Sequence, residues 1–99
     1  MELNVAKLYQ EAQSAIGGFL YTYRVLREAN VDNREEKNLV KTVLSEANKA
    51  EAVFDKIEQA INGVRDDEAL GLRQSIKDWR NCIQEFKKIY GLQDAEPNA

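Results

Sequence analysis

Apolar residues recur at alternating steps of three and four along three successive stretches of the chain. The first stretch runs from Val5 to Leu26, the second from Val40 to Val64, and the third from Ala69 to Tyr90. This spacing holds one apolar stripe on one face of an α-helix, so each stretch predicts an amphipathic helix. The only proline is Pro97, and no residue before it forbids a helix.

Turn and capping residues lie between these stretches. Asp32 and Asp66 stand where a helix N-cap is expected, and Glu35 is placed for a reciprocal capping-box contact with Asp32. Gly63 and Gly91 follow the second and third stretches, where a glycine commonly ends a helix. The capping pattern therefore agrees with the apolar periodicity.

The fold class follows from three long helices joined by short connections. We expect helices at about 3–29, 33–62 and 67–90, which form a single bundle over residues 1–92, followed by a flexible polar tail at 93–99. Short connections make neighbouring helices antiparallel. The prediction is an all-α, elongated, antiparallel three-helix bundle of up-down-up topology, because helices of this length exceed the width of a compact globule of the same mass.

Composition narrows the class of protein further. A hydrophobic share of 43% with 31% charged residues is typical of a folded domain, and no apolar run approaches the ~20 residues that span a bilayer. The amino-terminal residues lack the pattern of a secretory signal. Cys82 is the only cysteine, so an internal disulfide is impossible. We expect a cytoplasmic protein with no membrane partner.

Two adjacent glycines, Gly17 and Gly18, lie inside the first predicted helix. Ile16 before them and Phe19 after them keep the apolar phase, so we expect one continuous helix in which each glycine costs about 1 kcal/mol relative to alanine. At 100° per residue, both glycines and Tyr21 fall opposite the apolar stripe. The predicted outer groove of this helix consists of Gln10, Ser14, Gly17, Gly18, Tyr21 and Val25.

We interpret this uncharged outer groove as a protein-binding surface. Missing side chains let another backbone approach closely, and Tyr21 offers a large anchor with little conformational entropy to lose. The alternative interpretation is a pair of tolerated glycines beside a single exposed aromatic side chain, which is common on protein surfaces.

A basic flank follows the third predicted helix and could meet an anionic partner. It consists of Arg73, Lys77, Arg80, Lys87 and Lys88. Such a row of cations can track phosphates. The second helix, however, carries Glu51, Asp55 and Glu58 at the edge of its own apolar stripe, where they can pair with the flank across an antiparallel contact. We therefore predict that the flank is mainly structural.

Few side chains in this sequence are suited to catalysis or to binding a metal or cofactor. The chain has no histidine, and Cys82 beside the third stripe is expected to be a small buried apolar residue. Trp79, the largest side chain on any stripe, is expected in the core, where its removal would be the most damaging single change. No catalytic, cofactor-binding or metal-binding residues are predicted, and the protein is not expected to be an enzyme.

The sequence as a whole favours a small non-enzymatic protein-binding module. Such a module would be an adaptor or an inhibitor that occludes a larger protein, a class that by analogy includes accessory proteins of phages and mobile elements. The expected partner is another protein chain, either heterologous or a second copy in a homodimer. The alternatives are a nucleic-acid-associated regulator using the basic flank of the third helix, which is less favoured, and a self-assembling structural rod.

Overall fold

Three α-helices make up the fold of the protein. The computed structural model describes residues 3–92, in which α1 spans Val5–Glu28, α2 spans Asn33–Ala60 and α3 spans Asp67–Ile89. The predicted all-α, antiparallel, up-down-up bundle is confirmed, and the helix ends differ from the predicted ones by at most two residues. The predicted polar tail at 93–99 lies outside the described residues.

Each helix begins at a side chain that accepts a backbone hydrogen bond. Asp32 accepts from the Glu35 N–H at 2.9 Å and Asp66 accepts from the Ala69 N–H at 2.8 Å, as predicted. Asn4 caps α1 in the same way. The turns after α2 and α3 place Gly63 at φ 86° and Gly91 at φ 70°, where only glycine is free of strain. These local signals fix the ends of the helices.

The core is one layer of apolar side chains between the helices. Phe19, Phe54 and Phe86, one from each helix, are fully buried. Trp79 packs against the core as predicted but is only half-buried, so the condition under which its removal would be the most damaging change is not met. Its indole lies at the edge of the core, with its ring centroid 6.0 Å from that of Phe54 and 6.0 Å from that of the partly exposed Tyr9.

The bundle is elongated, as predicted. Its principal extents are 50 × 29 × 19 Å and its radius of gyration is 15.2 Å, compared with about 13 Å for a compact domain of 100 residues. Helix α1 packs most extensively on α2, and its contact with α3 is smaller. Helix α3 makes the smaller contacts with both other helices, and concave surfaces lie between α1 and α3.

Candidate protein-binding surface

Helix α1 continues without a break through Gly17 and Gly18, as the apolar phase predicts. Gln10 and Ser14 are exposed on its outer face, and Tyr21 and Val25 are 70% and 39% exposed. A Cβ built on Gly17 meets nothing within 4 Å among residues 3–92. The outer face of α1 therefore carries an open position next to an aromatic ring.

Gly18 differs from its neighbour, and the prediction that both glycines point away from the bundle is wrong for it. A Cβ at Gly18 would collide with the Oε1 atom of Glu46, a half-buried residue of α2. The absence of a side chain here lets the Glu46 carboxylate lie against α1 while it pairs with Lys49 at 3.3 Å. Gly18 thus belongs to the contact between α1 and α2, which a count of residues along one helix cannot locate.

We expect Gly17→Ala to raise the free energy of unfolding by up to about 1 kcal/mol, because it adds helix propensity and its Cβ enters open space. Gly18→Ala should gain less, since its Cβ displaces the Glu46 carboxylate. Urea denaturation of both variants measures the difference. A stabilisation of Gly18→Ala equal to that of Gly17→Ala would contradict the close approach of Glu46.

A concavity lies beside the outer face of α1, between the carboxyl-terminal halves of α1 and α3. This α1/α3 cleft has a volume of about 840 Å³. Its lining residues are Leu20, Tyr23, Arg24, Arg27, Glu28, Cys82, Glu85, Ile89 and Tyr90. A shallower depression continues between the amino-terminal halves of the two helices, beyond the contact between Tyr9 and Trp79.

Aromatic rings hold α1 and α3 together at the α1/α3 cleft. The Phe86 ring lies edge-on to Phe19 and Tyr23, with centroid distances of 5.7 and 5.2 Å, and contacts Tyr90 at 5.4 Å. Burial raises the pKa of the Tyr90 hydroxyl, with smaller contributions from Tyr23 and Glu36. These large rings occupy the space between the backbones of α1 and α3. The shorter side chains that line the cleft outside the rings therefore remain accessible to solvent.

The cleft is lined by both apolar and charged side chains. Leu20 is 44% exposed and Ile89 is 63% exposed, although both are large aliphatic side chains. At the end of the cleft Arg24 pairs with Glu28 at 3.2 Å, and the Arg27 guanidinium lies 5.7 Å from the centroid of the Tyr23 ring. Exposed apolar side chains and charged groups therefore lie side by side in the cleft, and both occur in protein–protein interfaces.

Cys82 lines this cleft and is exposed, so the prediction that it is buried is wrong. Its position beside the apolar stripe would bury it only if α1 and α3 were closely packed there. Leu20 and Ile89 are not among the predicted binding residues, because the sequence does not show that α1 and α3 leave a cleft between them at this point. Their isolated apolar positions outside the stripe were the only available signal, and single exposed apolar residues are common.

The basic flank of α3 is largely engaged within the bundle. Arg80 pairs with Asp55 at 2.7 Å and with Glu58 at 2.8 Å, and Lys87 pairs with Glu51 at 3.3 Å. Burial lowers the pKa of the Arg80 guanidinium, but the two carboxylates outweigh it and the net pKa is raised. The predicted pairing between the flank and the acids of α2 is confirmed.

The other three members of the flank differ in their surroundings. Arg73 donates hydrogen bonds to the carbonyl oxygens of Ile61, the C-cap of α2, and of Val64 in the connection to α3, the second at 2.9 Å. Lys77 and Lys88 are exposed, and neither forms an ion pair within the described part of the chain. The structure therefore does not assemble the five cations into one available site.

Residues 3–92 contain no cluster of three or more cysteine, aspartate or glutamate side chains arranged to hold a metal ion. None of the three helices combines the length and the apolar character needed to cross a membrane. Comparison with protein-family models, curated proteins and solved structures gives no match to this chain.

Proposed function

We propose that the protein is a small non-enzymatic protein-binding module that receives an α-helix of another protein. The α1 docking surface comprises Gly17 and Tyr21 on α1 together with Leu20 and Ile89 of the α1/α3 cleft. The supporting observation is the exposure of three large apolar side chains here: 44% for Leu20, 70% for Tyr21 and 63% for Ile89. Adjacent exposed apolar side chains are typical of interaction sites, whereas scattered ones are not.

The geometry of the cleft favours a helix as the ligand. Two neighbouring helices of a bundle leave a long furrow between them, and a further helix fills such a furrow by placing its side chains between theirs. Gly17 adds an open position beside Leu20 and Tyr21, one turn along α1. An amphipathic helix with its apolar side in the cleft would remove Leu20 and Ile89 from water.

An adaptor or an occluding inhibitor fits this surface better than an enzyme does. The chain has no histidine to activate Cys82 or to serve as a general base. A cytoplasmic location fits the proposal, because a single cysteine cannot form an internal disulfide. Nucleic-acid binding through α3 is less favoured, since Arg73, Arg80 and Lys87 are already bound to groups of α2.

We expect the double variant Leu20→Ala/Tyr21→Ala to bind the partner about tenfold or more weakly, because it truncates the two exposed anchors on α1. The partner is captured from extracts of the native host with tagged wild-type protein, identified by mass spectrometry, purified, and titrated calorimetrically. The matched control is Leu70→Ala, which truncates a leucine that is 49% exposed and does not line the cleft.

The control should retain the wild-type affinity within about twofold. An equal loss in the control, or no loss in the double variant, would contradict the proposed surface. Light scattering of the wild type and the double variant gives their molar masses. A dimer that the double variant abolishes would identify the partner as a second copy of the chain.

A further inference from the structure

We infer that the outer face of α2 is a second interaction surface, which binds an acidic α-helix of a different protein. All five basic residues of α2 fall within an arc of about 120° opposite its buried stripe, at 100° per residue, and all five are exposed. This α2 basic face consists of Arg34, Lys37, Lys41, Lys49 and Lys56. It shares no residue with the α1 docking surface.

Six acids lie on α2, and four of them contact the neighbouring helices. Glu51, Asp55 and Glu58 turn toward α3, where they meet Arg80 and Lys87. Glu46 lies against Gly18 of α1. Glu35 and Glu36, in the first turn of α2, and Asp55, which is 67% exposed, remain on its surface, but only Asp55 reaches the edge of the arc of cations at 100° per residue.

Most of the cations on the α2 basic face have no internal partner. Lys49 pairs with Glu46, yet its side chain is 70% exposed. Arg34, Lys37, Lys41 and Lys56 form no ion pair with any residue between 3 and 92. In this respect the face differs from the α3 flank, whose cations mostly bind groups of α2.

The stability of α2 does not account for this arrangement. Arg34 lies in the first turn, where the helix dipole disfavours cations. Lys37 and Lys41 stand four residues apart, so their like charges repel. Solubility does not account for it either, because added cations bring a chain with a net charge of −3 closer to neutrality. Binding of a ligand of opposite charge would explain why the cations of α2 lie together on this face.

The shape of the face suits a helix. Its central strip carries Asn38, Ser45, Ala52 and Gln59 at intervals of seven residues. Ser45 and Ala52 line a shallow depression together with Lys41 and Lys49. The small side chains of Ser45 and Ala52 leave room for a second helix backbone at this depression, within reach of Lys41 and Lys49.

The spacing of the cations matches the repeat of acids on a helix. Arg34 precedes Lys41 by seven residues and Lys49 precedes Lys56 by seven, which is about 10.5 Å along the axis in each case. Carboxylates every seven residues on a neighbouring helix repeat at the same distance, as in the flanking charges of coiled coils.

Two further observations support an acidic protein helix over other occupants. The α2 basic face carries no aromatic side chain on which a nucleic-acid base could stack. A second copy of the chain related by two-fold symmetry would bring the same lysines together, and their like charges would repel. The matching ligand is therefore a helix that carries acids, supplied by another chain.

The test uses a synthetic, fluorescein-labelled helical peptide of 28 residues, the length of α2. Its glutamates flank an alanine strip at seven-residue intervals. A second peptide has the same composition in scrambled order. We expect the in-register peptide to bind the wild type, with an affinity that falls as NaCl rises from about 0.05 to about 0.5 M. Lys41→Gln/Lys49→Gln should weaken binding about tenfold or more, and the scrambled peptide should bind comparably weakly.

The matched control is Lys77→Gln/Lys88→Gln, which removes two exposed lysines from α3 and should bind the in-register peptide within about twofold of the wild type. Thermal unfolding confirms that both variants are folded. Equal binding of the two peptides, or no binding of the in-register peptide at about 1 mM, would overturn the inference. So would tighter binding of a DNA duplex of about 25 base pairs that the Lys41→Gln/Lys49→Gln variant loses. Self-association that this variant abolishes would also overturn it.

Discussion

Phe86→Ala is expected to remove a large fraction of the protein's free energy of unfolding. The Phe86 side chain is fully buried, and its ring contacts the rings of Phe19, Tyr23 and Tyr90. Truncating a buried phenylalanine costs about 3–5 kcal/mol, and a small domain has a total stability of only about 5–15 kcal/mol. Urea denaturation followed by circular dichroism at 222 nm measures the loss.

Two other aromatic truncations complete this experiment. Tyr21→Ala should change the free energy of unfolding by no more than about 0.5 kcal/mol, because the ring is 70% exposed. Trp79→Ala should cost less than Phe86→Ala, since the half-buried indole loses fewer contacts. A Phe86→Ala variant that unfolds at the wild-type urea concentration would place that ring outside the core.

Arg73→Ala is expected to lower the free energy of unfolding by about 2 kcal/mol, the next largest effect. The guanidinium donates hydrogen bonds to the carbonyl oxygens of Ile61 and Val64, and α2 has no basic residue in its own last turn. Hydrogen bonds from a charged donor contribute about 1.5–3 kcal/mol, and a cation also stabilises the carboxyl end of a helix. Thermal and urea denaturation of the variant give the value.

The controls separate the geometry of Arg73 from its charge. Arg73→Lys keeps the charge but loses the planar fork, so it should recover only part of the stability. Lys77→Ala removes an exposed cation from the same flank and should change the free energy by no more than about 0.5 kcal/mol. Equal stability of Arg73→Ala and the wild type would show that α2 does not depend on this contact.

The fold could be predicted from the sequence because its determinants are local. The three- and four-residue spacing of apolar positions specifies helices, and Asp32 and Asp66 mark two of their starts. Because the connections are only a few residues long, helices that follow one another in the chain pack antiparallel. These signals act over a few turns of chain and do not require knowledge of how closely the helices approach.

The candidate surfaces depend on how closely the helices approach one another, so the sequence predicts them less well than it predicts the fold. Counting residues around one helix gives a direction for each side chain, but it does not give the depth to which a neighbour covers it. Gly18 therefore lies against Glu46, and Cys82 is exposed where α1 and α3 stand apart. The cation segregation of α2 is different, because the same count applied to α2 would have revealed it from sequence alone.

The narrow cross-section of the bundle has a consequence for how it would hold two partners. Its shorter extents are 29 and 19 Å, and α2 turns its outer face away from α1 and α3. A helix on the α2 basic face and a helix in the α1/α3 cleft would then lie on opposite sides, separated by the thickness of the bundle. Neither ligand would block the other, so the protein would bridge two chains in one ternary complex rather than exchange one for the other.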